Sequence, residues 1–396
     1  MTEVGRPVSD DALIELVQAL VQTPSVLGGE ERVAELVVEQ MRRLGFDTVE
    51  IDAAGNAVGV IEGAANGPTV LYDAHMDTVD VLPRAAWKHD PFGGEIVRDR
   101  IYGRGSSDMK GALAAMVHAA AGLDRERLTG RVVVSASVGE ELIEGAALRI
   151  VMEAYSPDFV VIGEASGLDL VRAGRGRAEL VLETQGAPAH ASSPHLGVNA
   201  VHLMAGVIGQ IEGLEMPEHP FVGSGVMCLT DIISVPYPAH SVVPSGCRAT
   251  YERRLLPGET QDGLIAELEA ACARAGAENA GAESTAIRLA TAEYETYTGV
   301  VWNEPKWYAP WELAEEHELV QSALAGLRSA GLDPGMTSYQ FCTNAAYSAG
   351  VAGVPTIGFG PSRESLAHVV DEYIEIDQLN LACRGYAAIS KALLAR

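Results

Sequence analysis

The chain is poor in positive charge and has no long apolar run. Its 28 lysines and arginines stand against 54 aspartates and glutamates, which gives a formal net charge of −26. Because so acidic a chain repels polyanions and no strong basic cluster is present, we expect no nucleic-acid partner and no binding to an acidic membrane surface. No apolar run approaches the ~20 residues that a membrane span needs. Since the first residues are also polar, we expect a cytoplasmic protein.

Cysteine is scarce as well, and two common catalytic motifs are absent. The five cysteines are an odd number, are scattered and form no C-x-x-C pair, which argues against a disulfide framework and a thiolate zinc site. We therefore expect reduced thiols. The sequence contains no G-x-S-x-G motif, so a serine nucleophile on a strand-turn-helix elbow is disfavoured. It also lacks H-E-x-x-H, which excludes the helical zincin arrangement.

The apolar pattern predicts an α/β main domain. With 396 residues the chain is too long for one ordinary core, and 47% of it is apolar. The first amphipathic helix follows Ser9, which can cap it, and a later helical segment covers residues 109–121. Short buried runs lie at residues 69–72, 132–137, 159–162 and 355–359. Their alternation with helices is typical of a helix-covered, mixed and largely parallel sheet.

A second domain is predicted within the first. From residue 177 to residue 290 the pattern changes to strand-like alternation with two helices, which indicates an inserted α+β domain. The Gly-rich segment 173–176 is a candidate hinge. The predicted main domain therefore comprises residues 1–176 and 291–396.

Histidine and carboxylate residues follow the predicted buried strands. His75 comes directly after the first run, Glu140 and Glu141 follow the second, and Glu164 follows the third. In open α/β sheets, ligands bind beyond the carboxyl ends of the strands. Each residue alone has a simple alternative, such as a polar loop or a solvated pair of glutamates. Their convergence on one sheet edge favours a functional site.

Two further residues complete a candidate metal site. Asp108 lies in a Gly-rich turn before a helix, where a helix cap is the alternative role. His368 follows the 355–359 run. Two histidines with three carboxylates suit zinc, and also cobalt or manganese. A pair of ions ~3.5–4 Å apart needs a bridging carboxylate, and Asp108 is the candidate.

These motifs resemble those of the M20 metallopeptidases and deacylases, a family that includes acetylornithine deacetylase and succinyl-diaminopimelate desuccinylase. The resemblance is carried in chain order by His75-x-Asp77, GSSDMKG at residues 105–111, Glu140-Glu141, Glu164 and AHVVDE at residues 367–372. It implies a zinc-peptidase-like fold with two metal ions. His75 and Glu164 would hold one ion, Glu141 and His368 the other, and Asp108 both. Asp77 would orient His75, Glu140 would be the general base, and the bond after Asp108 would be cis.

The inserted domain carries a family resemblance of its own. Residues 186–200 (GAPAHASSPHLGVNA) resemble the M20 lid or dimerisation domain, which implies a homodimer in which His190 reaches the partner's active site. Residues 251–260 resemble the strand whose arginine, here Arg254, binds a substrate carboxylate. Many relatives carry Gly-Thr-Asp where this chain has Cys342-Thr343-Asn344, so Asn344 is a predicted substrate contact. With the aromatic residues at 294–311, this segment resembles a bacterial branch of hydrolases linked by name to selenium metabolism.

The resulting hypothesis is an enzyme that cleaves an amide bond in a small substrate carrying a carboxylate, such as an N-acyl amino acid or a short peptide. A hydroxide bridging two divalent ions would attack the carbonyl, with Glu140 as general base. Two alternatives stay open. One is a hydrolase of another C–N bond, of the aryl amine or carbamoyl type, and the other is a non-catalytic metal-binding or ligand-binding protein on the same scaffold.

Overall fold

The computed structural model describes residues 10–278, 281 and 284–395, and the chain divides into two compact units. The larger unit comprises the chain up to Gly174, Glu293–Asn303 and the chain from Trp311 onward, and the smaller unit comprises Arg175–Ala292 and Glu304–Pro310. The predicted limits at 176/177 and 290/291 lie close to two of these junctions, whereas the short return at Glu304–Pro310 is absent from the prediction. The predicted helix cap at Ser9 lies outside the described residues.

Helices occur in both units. In chain order they are α1 (Asp10–Val21), α2 (Glu31–Arg43), α3 (Gly111–Ala121), α4 (Ala146–Tyr155), α5 (Ala200–Glu212), α6 (Gln261–Glu278), α7 (Glu318–Ser329), α8 (Ala345–Ser348) and α9 (Ile376–Leu394). Among the described helices, none combines the length and the apolar character that crossing a bilayer requires.

The strands alternate with these helices along the larger unit and cluster in the smaller one. In chain order they are β1 (Thr48–Ile51), β2 (Ala57–Glu62), β3 (Ala65–His75), β4 (Glu95–Val97), β5 (Arg100–Tyr102), β6 (Thr129–Ser137), β7 (Phe159–Ile162), β8 (Leu170–Gly174), β9 (Gly176–Gln185), β10 (Glu218–His219), β11 (Gly223–Ser224), β12 (Val226–Val235), β13 (Gly246–Leu255), β14 (Ala286–Leu289), β15 (Thr291–Glu295), β16 (Val301–Pro305), β17 (Trp307–Tyr308), β18 (Trp311–Glu312), β19 (Met336–Tyr339), β20 (Thr356–Gly358) and β21 (Tyr373–Glu375).

The main sheet of the larger unit has the order β1-β2-β6-β3-β7-β20-β8-β18, and β19 pairs with β8. The central strands β6, β3, β7 and β20 run parallel to one another. The outer pairs β1-β2, β2-β6, β20-β8 and β8-β18 are antiparallel. The predicted mixed α/β fold is therefore confirmed, with parallel pairing concentrated in the middle of the sheet.

Both faces of this sheet are covered by helices, which explains why its strands read as continuous apolar runs. Successive side chains of a strand point to opposite faces. On β3, Leu71 belongs to a buried cluster that includes Leu148 and Val151 of α4. The next residue, Tyr72, lies against Tyr386 of α9, with ring centroids 5.5 Å apart. Because both faces are buried, polar residues are tolerated mainly where the strands end.

The smaller unit is built on an antiparallel sheet in the order β12-β13-β9-β14, with β17 also pairing with β9. Its core contains alternate residues of β9, such as Leu180 and Leu182, together with Leu203 of α5 and Leu268 of α6. This period-two pattern is the one expected for a sheet with helices on one face.

Candidate active site

The carboxyl ends of the central strands bring the predicted side chains together. His75 is the last residue of β3, and it pairs in register with Ser137, the last residue of β6. Glu140 follows β6 by three residues, and Glu164 follows β7 by two. Since neighbouring parallel strands end at the same edge of the sheet, these three side chains meet there.

His75 is the centre of this cluster and is 1% exposed. Its Nε2 atom lies 3.0 Å from Asp108 Oδ1, 3.4 Å from Glu164 Oε1 and 3.9 Å from Glu140 Oε2. Ligand atoms of His75, Glu140 and Glu164 all lie within 4.8 Å of one another, and so do those of His75, Asp108 and Glu141. One imidazole nitrogen therefore lies among several carboxylate oxygens.

Asp77 contacts both His75 and the loop that carries the two glutamates, and it uses a different group for each. The backbone carbonyl of Asp77 lies 3.0 Å from His75 Nδ1, whereas its carboxylate oxygen is 3.7 Å from the same atom. The carboxylate instead accepts the backbone N–H groups of Glu140, at 3.2 Å, and Glu141, at 3.0 Å. The carbonyl thus orients the imidazole, and the side chain fixes the loop that carries the two glutamates.

Asp108 connects the two histidines. Its Oδ2 lies 3.2 Å from His368 Nε2, on the side opposite the Oδ1 contact with His75. The same His368 atom lies 3.0 Å from Glu141 Oε1. Asp108 has non-helical dihedral angles, φ −124° and ψ 95°. It does not cap α3, because Lys110 occupies the cap position and the helix begins at Gly111. The peptide bond between Asp108 and Met109 is cis, as the family resemblance implied.

Burial and mutual repulsion shift the pKa values of the carboxyl groups. Burial and the charge of Asp108 raise the pKa of Glu164 to about 7. Burial also raises the pKa of Glu140 well above its ordinary value, with His75 acting in the opposite direction, and it raises the pKa of Glu141. These carboxyl groups are therefore stabilised by any positive charge that is placed among them.

The pKa values of the two histidines are raised, because neighbouring carboxylates stabilise the charged imidazole. Hydrogen bonds with Asp108 and Glu141 raise the pKa of His368 to about 10. Although burial opposes it, the hydrogen bonds of Asp108 and Glu164 raise the pKa of His75 well above its ordinary value. Burial would raise the pKa of Asp108, but its hydrogen bonds to both histidines hold that pKa well below its usual range.

This donor set fits divalent metal ions. With Nδ1–H of His75 donated to the Asp77 carbonyl, its Nε2 lone pair faces the oxygens of Asp108 and Glu164, and acceptors can share such a space only with a cation or a proton. Imidazole nitrogen and carboxylate oxygen are ligands that zinc, cobalt and manganese accept. The second imidazole, His368, has φ 58° in the left-handed region, which non-glycine residues adopt mainly where the surroundings impose it.

The predicted residues of the inserted unit are less enclosed. His190 is exposed, and its Nδ1 lies 3.1 Å from the backbone N of Ser192 and 2.8 Å from its Oγ. Arg254 lies on β13, and its Nη2 is 2.6 Å from Glu252 Oε1. The catalytic role of His190 and the substrate contact of Arg254 stay predictions.

Asn344, a predicted substrate contact, is 3% exposed and uses its amide group within the protein. Its Nδ2 donates to Asp73 Oδ2 at 2.7 Å and to Ser137 Oγ at 3.1 Å, and its Oδ1 accepts the N–H of Gly145 at 2.6 Å. These contacts connect the strand that carries His75 to the start of α4. A direct contact of Asn344 with substrate stays a prediction.

A glycine precedes the glutamate pair for steric reasons. Gly139 has φ +67°, and a Cβ atom there would lie 2.5 Å from the ring of Tyr294. The Tyr294 hydroxyl donates to the buried Glu30 at 2.7 Å. The sequence pattern drew attention to neither contact, because residues 30, 139 and 294 are far apart in the chain.

Sequence reasoning also assigned no role to two charged residues beside Asp108. Glu372 is fully buried and pairs with Arg104, which is 3% exposed, at 2.6 Å. Burial and the charge of Asp108 raise the pKa of Glu372 to about 7, with Arg104 acting in the opposite direction. Both residues lie inside or next to the quoted motifs, so their positions in those motifs were the available signal.

Taken together, the fold and the donor set define a metal-dependent hydrolase. The model of peptidase family M20/M25/M40 matches residues 71–392, and the chain therefore belongs to that family. It is 31% identical over 394 residues to the uncharacterized protein YgeY of Escherichia coli (strain K12), covering 97% of this chain and 94% of YgeY.

Two further comparisons agree with this assignment. The chain is 27% identical to the succinyl-diaminopimelate desuccinylase of Alkalilimnicola ehrlichii, covering 96% of this chain and 99% of that enzyme. Its fold is similar to that of the Bacillus subtilis protein YXEP, described as a dinuclear metal binding peptidase from the M20 family. The TM-score is 0.70 at 13% identity, over 96% of this chain and 97% of YXEP.

Proposed function

We propose that the protein is a two-metal amidohydrolase that cleaves an amide C–N bond in a small substrate carrying a carboxylate, such as an N-acyl amino acid or a short peptide. The position of Asp108 supports this most, since its two carboxylate oxygens lie 3.0 Å from His75 Nε2 and 3.2 Å from His368 Nε2. A carboxylate between two imidazole nitrogens is what a bridging ligand of a paired-ion site requires. The similarity to a desuccinylase and to a dinuclear metal binding peptidase supports the reaction class and the two ions.

In this proposal each ion has its own ligands as well as a share of Asp108. His75 and Glu164 hold one ion, and Glu141 and His368 hold the other. Zinc is the expected metal, and cobalt or manganese suits the same donors. When bound, such ions would lower the pKa of the attacking water and polarise the substrate carbonyl group.

Glu140 is the proposed general base. Its carboxyl group is 6% exposed and lies at the edge of the cluster, 3.9 Å from His75 Nε2. It takes a proton from the attacking water and delivers it to the leaving nitrogen. Burial keeps that proton from exchanging with bulk water between the two steps. Glu140 is not among the proposed ligands of the two ions, which leaves its carboxylate available for proton transfer.

The inserted unit would supply the substrate contacts. We propose that Arg254 pairs with the substrate carboxylate through a charge-assisted hydrogen bond. His190 would donate to the oxyanion of the tetrahedral intermediate in the active site of a partner subunit. Asn344 belongs to the larger unit. There it would support the site indirectly, by its hydrogen bonds to Asp73 on β3 and Ser137 at the end of β6.

A homodimer through the inserted unit is part of the same proposal. Among the described residues, β12 pairs with β13 alone and forms an edge of its sheet. It exposes Val226, Ile232 and Val235 at 42%, 46% and 52%. An exposed apolar edge strand is a template for pairing with another chain. An apparent mass of two chains in sedimentation equilibrium, halved by Ile232→Lys, would support this arrangement.

We also propose a cytoplasmic location. In the structure none of the five cysteines, three of which are buried, forms a disulfide. Proteins of oxidising compartments commonly use such residues in disulfides, whereas cytosolic proteins keep them reduced. Fractionation of cells that produce the full-length protein would test this location.

The proposed function is tested by metal analysis and a substrate screen on three proteins. The purified wild type, Glu140→Ala and the exposed control Glu126→Ala are loaded with zinc, then assayed on N-acyl amino acids, dipeptides and aryl amides. We expect two zinc ions per chain in all three proteins. Glu140→Ala should lose ~10²–10⁴ in turnover, the usual effect of removing a general base, and Glu126→Ala should match the wild type.

Two results would contradict the proposal. Full turnover by metal-loaded Glu140→Ala would exclude Glu140 as the base, and failure of the wild type to bind divalent ions would exclude the metal site. Turnover of aryl amides alone would keep amide cleavage as the reaction but would contradict the proposed class of substrates carrying a carboxylate.

A further inference from the structure

We propose that Arg104 and Glu372 form a positioning pair that fixes the backbone at Ser107 and Asp108, so that the Asp108 carboxylate reaches both histidines. This inference rests on the proposed function, because it concerns the ligand that would bridge the two ions. Neither residue touches the reacting atoms in that proposal. Both act through Asp108.

Glu372 divides its two carboxylate oxygens between two tasks. Oε1 accepts the backbone N–H of Ser107 at 2.8 Å and that of Asp108 at 3.1 Å. Oε2 accepts from Arg104 Nη1 at 2.6 Å. The carboxylate is fully buried, so each of these hydrogen bonds is made without competition from solvent, and losing one leaves a buried polar group unpaired.

Arg104 in turn ties Glu372 to the segment that follows Asp77. Its Nη2 donates to the backbone carbonyl of Asp80 at 3.3 Å. Its guanidinium carbon lies 5.2 Å from the centroid of the Trp87 ring, within the range of a cation–π contact. One planar side chain thus connects the loop after β3, the Asp108 segment and the segment that follows His368.

The Asp108 segment needs such support because it is not a regular helix. Asp108 and Met109 have non-helical dihedral angles between Ser106 and Lys110. No regular helical hydrogen bond therefore satisfies the N–H groups of Ser107 and Asp108, and Glu372 Oε1 accepts both of them instead. The Asp108 side chain then spans the gap between His75 and His368, where a displacement of about an ångström would break one of the two contacts.

A matched pair in the inserted unit separates positioning from general stabilisation. Arg253 is 1% exposed and lies 2.6 Å from Glu259 Oε1, while Glu259 Oε2 accepts the backbone N–H of Leu256 at 2.7 Å. This pair has the same chemistry as Arg104 and Glu372, but neither of its members contacts a proposed metal ligand. Loss of either pair should lower thermal stability, whereas only loss of the Glu372 pair should weaken metal binding.

The test measures zinc affinity of the full-length protein by competition with a chromophoric chelator. Glutamine at position 372 keeps the shape but offers one acceptor oxygen, so it can serve the two N–H groups or Arg104, not both. Removing a group that orients a metal ligand typically weakens metal binding 10–100-fold. We expect that loss for the weaker-bound ion in Glu372→Gln, a smaller loss in Arg104→Lys, which keeps the charge, and none in Glu259→Gln.

Steady-state kinetics and hydrogen exchange complete the experiment. At saturating zinc, Glu372→Gln should lower kcat and leave KM unchanged. Wild-type zinc affinity in either folded variant, or an equal loss in Glu259→Gln, would overturn the inference. If the variants do not fold, amide hydrogen exchange in the zinc-loaded wild type tests the inference instead. Exchange of the Ser107 and Asp108 N–H groups as fast as that of an open loop would also overturn the inference. A wild type that binds two zinc ions but cleaves no amide would refute the proposed function alone.

Discussion

The candidate metal ligands and the predicted substrate residues of the inserted unit differ in how deeply they are buried and in how many neighbours fix their side chains. His75 is 1% exposed and is fixed by contacts with Asp77, Asp108 and Glu164. His190 is exposed, and the contacts of its Nδ1 are to Ser192 in the same loop. The buried cluster is held in place by contacts within the larger unit. The exposed His190 side chain, by contrast, is available to contact a substrate or a partner subunit. The difference predicts that the two regions respond differently to mutation.

The largest effect within the inserted unit should come from His190→Ala. Removal of one donor to an oxyanion typically costs ~10²–10³ in kcat, and zinc content should stay at the wild-type level. Mixing His190→Ala with Glu140→Ala under conditions of subunit exchange should restore activity, because some hybrid dimers would contain one complete site. No restoration in a dimer shown to exchange subunits would remove the shared-site proposal. His195→Ala, which removes another exposed histidine of the same segment, serves as the control and should match the wild type.

A smaller effect is expected from Arg254→Ala, and it should appear in KM. A hydrogen bond to a charged group contributes ~1.5–3 kcal/mol, so KM for a substrate carrying a carboxylate should rise roughly 10–100-fold. The corresponding substrate amide should be turned over equally by wild type and variant. Glu252→Gln, which removes the partner of Arg254 at 2.6 Å, is the control for local disruption. Equal KM changes on both substrates would show that Arg254 does not bind the carboxylate.

The smallest effect on catalysis, and a clear effect on stability, is expected from His118→Leu. Burial lowers the pKa of His118 to about 4 from the usual 6.5, and the side chain is 3% exposed. Because the folded pKa is depressed, His118 is neutral in both states above pH 6.5, and stability is lost as the pH falls from 6.5 to 4. At about 1.36 kcal/mol per pKa unit, the loss amounts to roughly 3 kcal/mol.

Urea unfolding at pH 7 and at pH 4 measures this loss. His118→Leu should reduce the pH dependence of the unfolding free energy by that amount, whereas His202→Leu, on the exposed side of α5, should leave it unchanged. The same pH dependence in wild type and His118→Leu would contradict the prediction. The two variants compare a buried histidine with an exposed one outside the candidate site, as His75 and His190 do within the proposed function.

The sequence predicts much of the site because strand ends are visible in it. Buried runs locate the ends of β3, β6 and β7, and the parallel arrangement brings His75, Glu140 and Glu164 to one edge. The exact acceptor for His75 was not predictable, because Asp77 offers both a carbonyl and a carboxylate, and only the backbone path decides between them. The role of Glu372 was hidden for a different reason, since its contacts with Ser107 and Asp108 span more than 260 residues.

In the fold, too, local features were predictable from the sequence, whereas contacts between distant segments were not. Local apolar patterns predicted the mixed α/β class, but they do not reveal which strands pair in an antiparallel sense at the sheet edges. The start of α3 at Gly111 differs from the predicted 109 because Asp108 and Met109 have non-helical dihedral angles. The return of Glu304–Pro310 to the smaller unit depends on β17 pairing with β9, a contact between distant segments.

The spread of the candidate ligands along the chain sets the order in which the protein matures. Four of the five candidate ligands lie between residues 75 and 164, whereas His368 follows the last of these by 204 residues. A nascent chain emerges from its amino terminus, so a growing polypeptide presents four of the five candidate donors before His368 has been made. The proposed site therefore becomes complete only after residue 368 has been made, and a chain truncated before that residue would lack one of its two imidazoles.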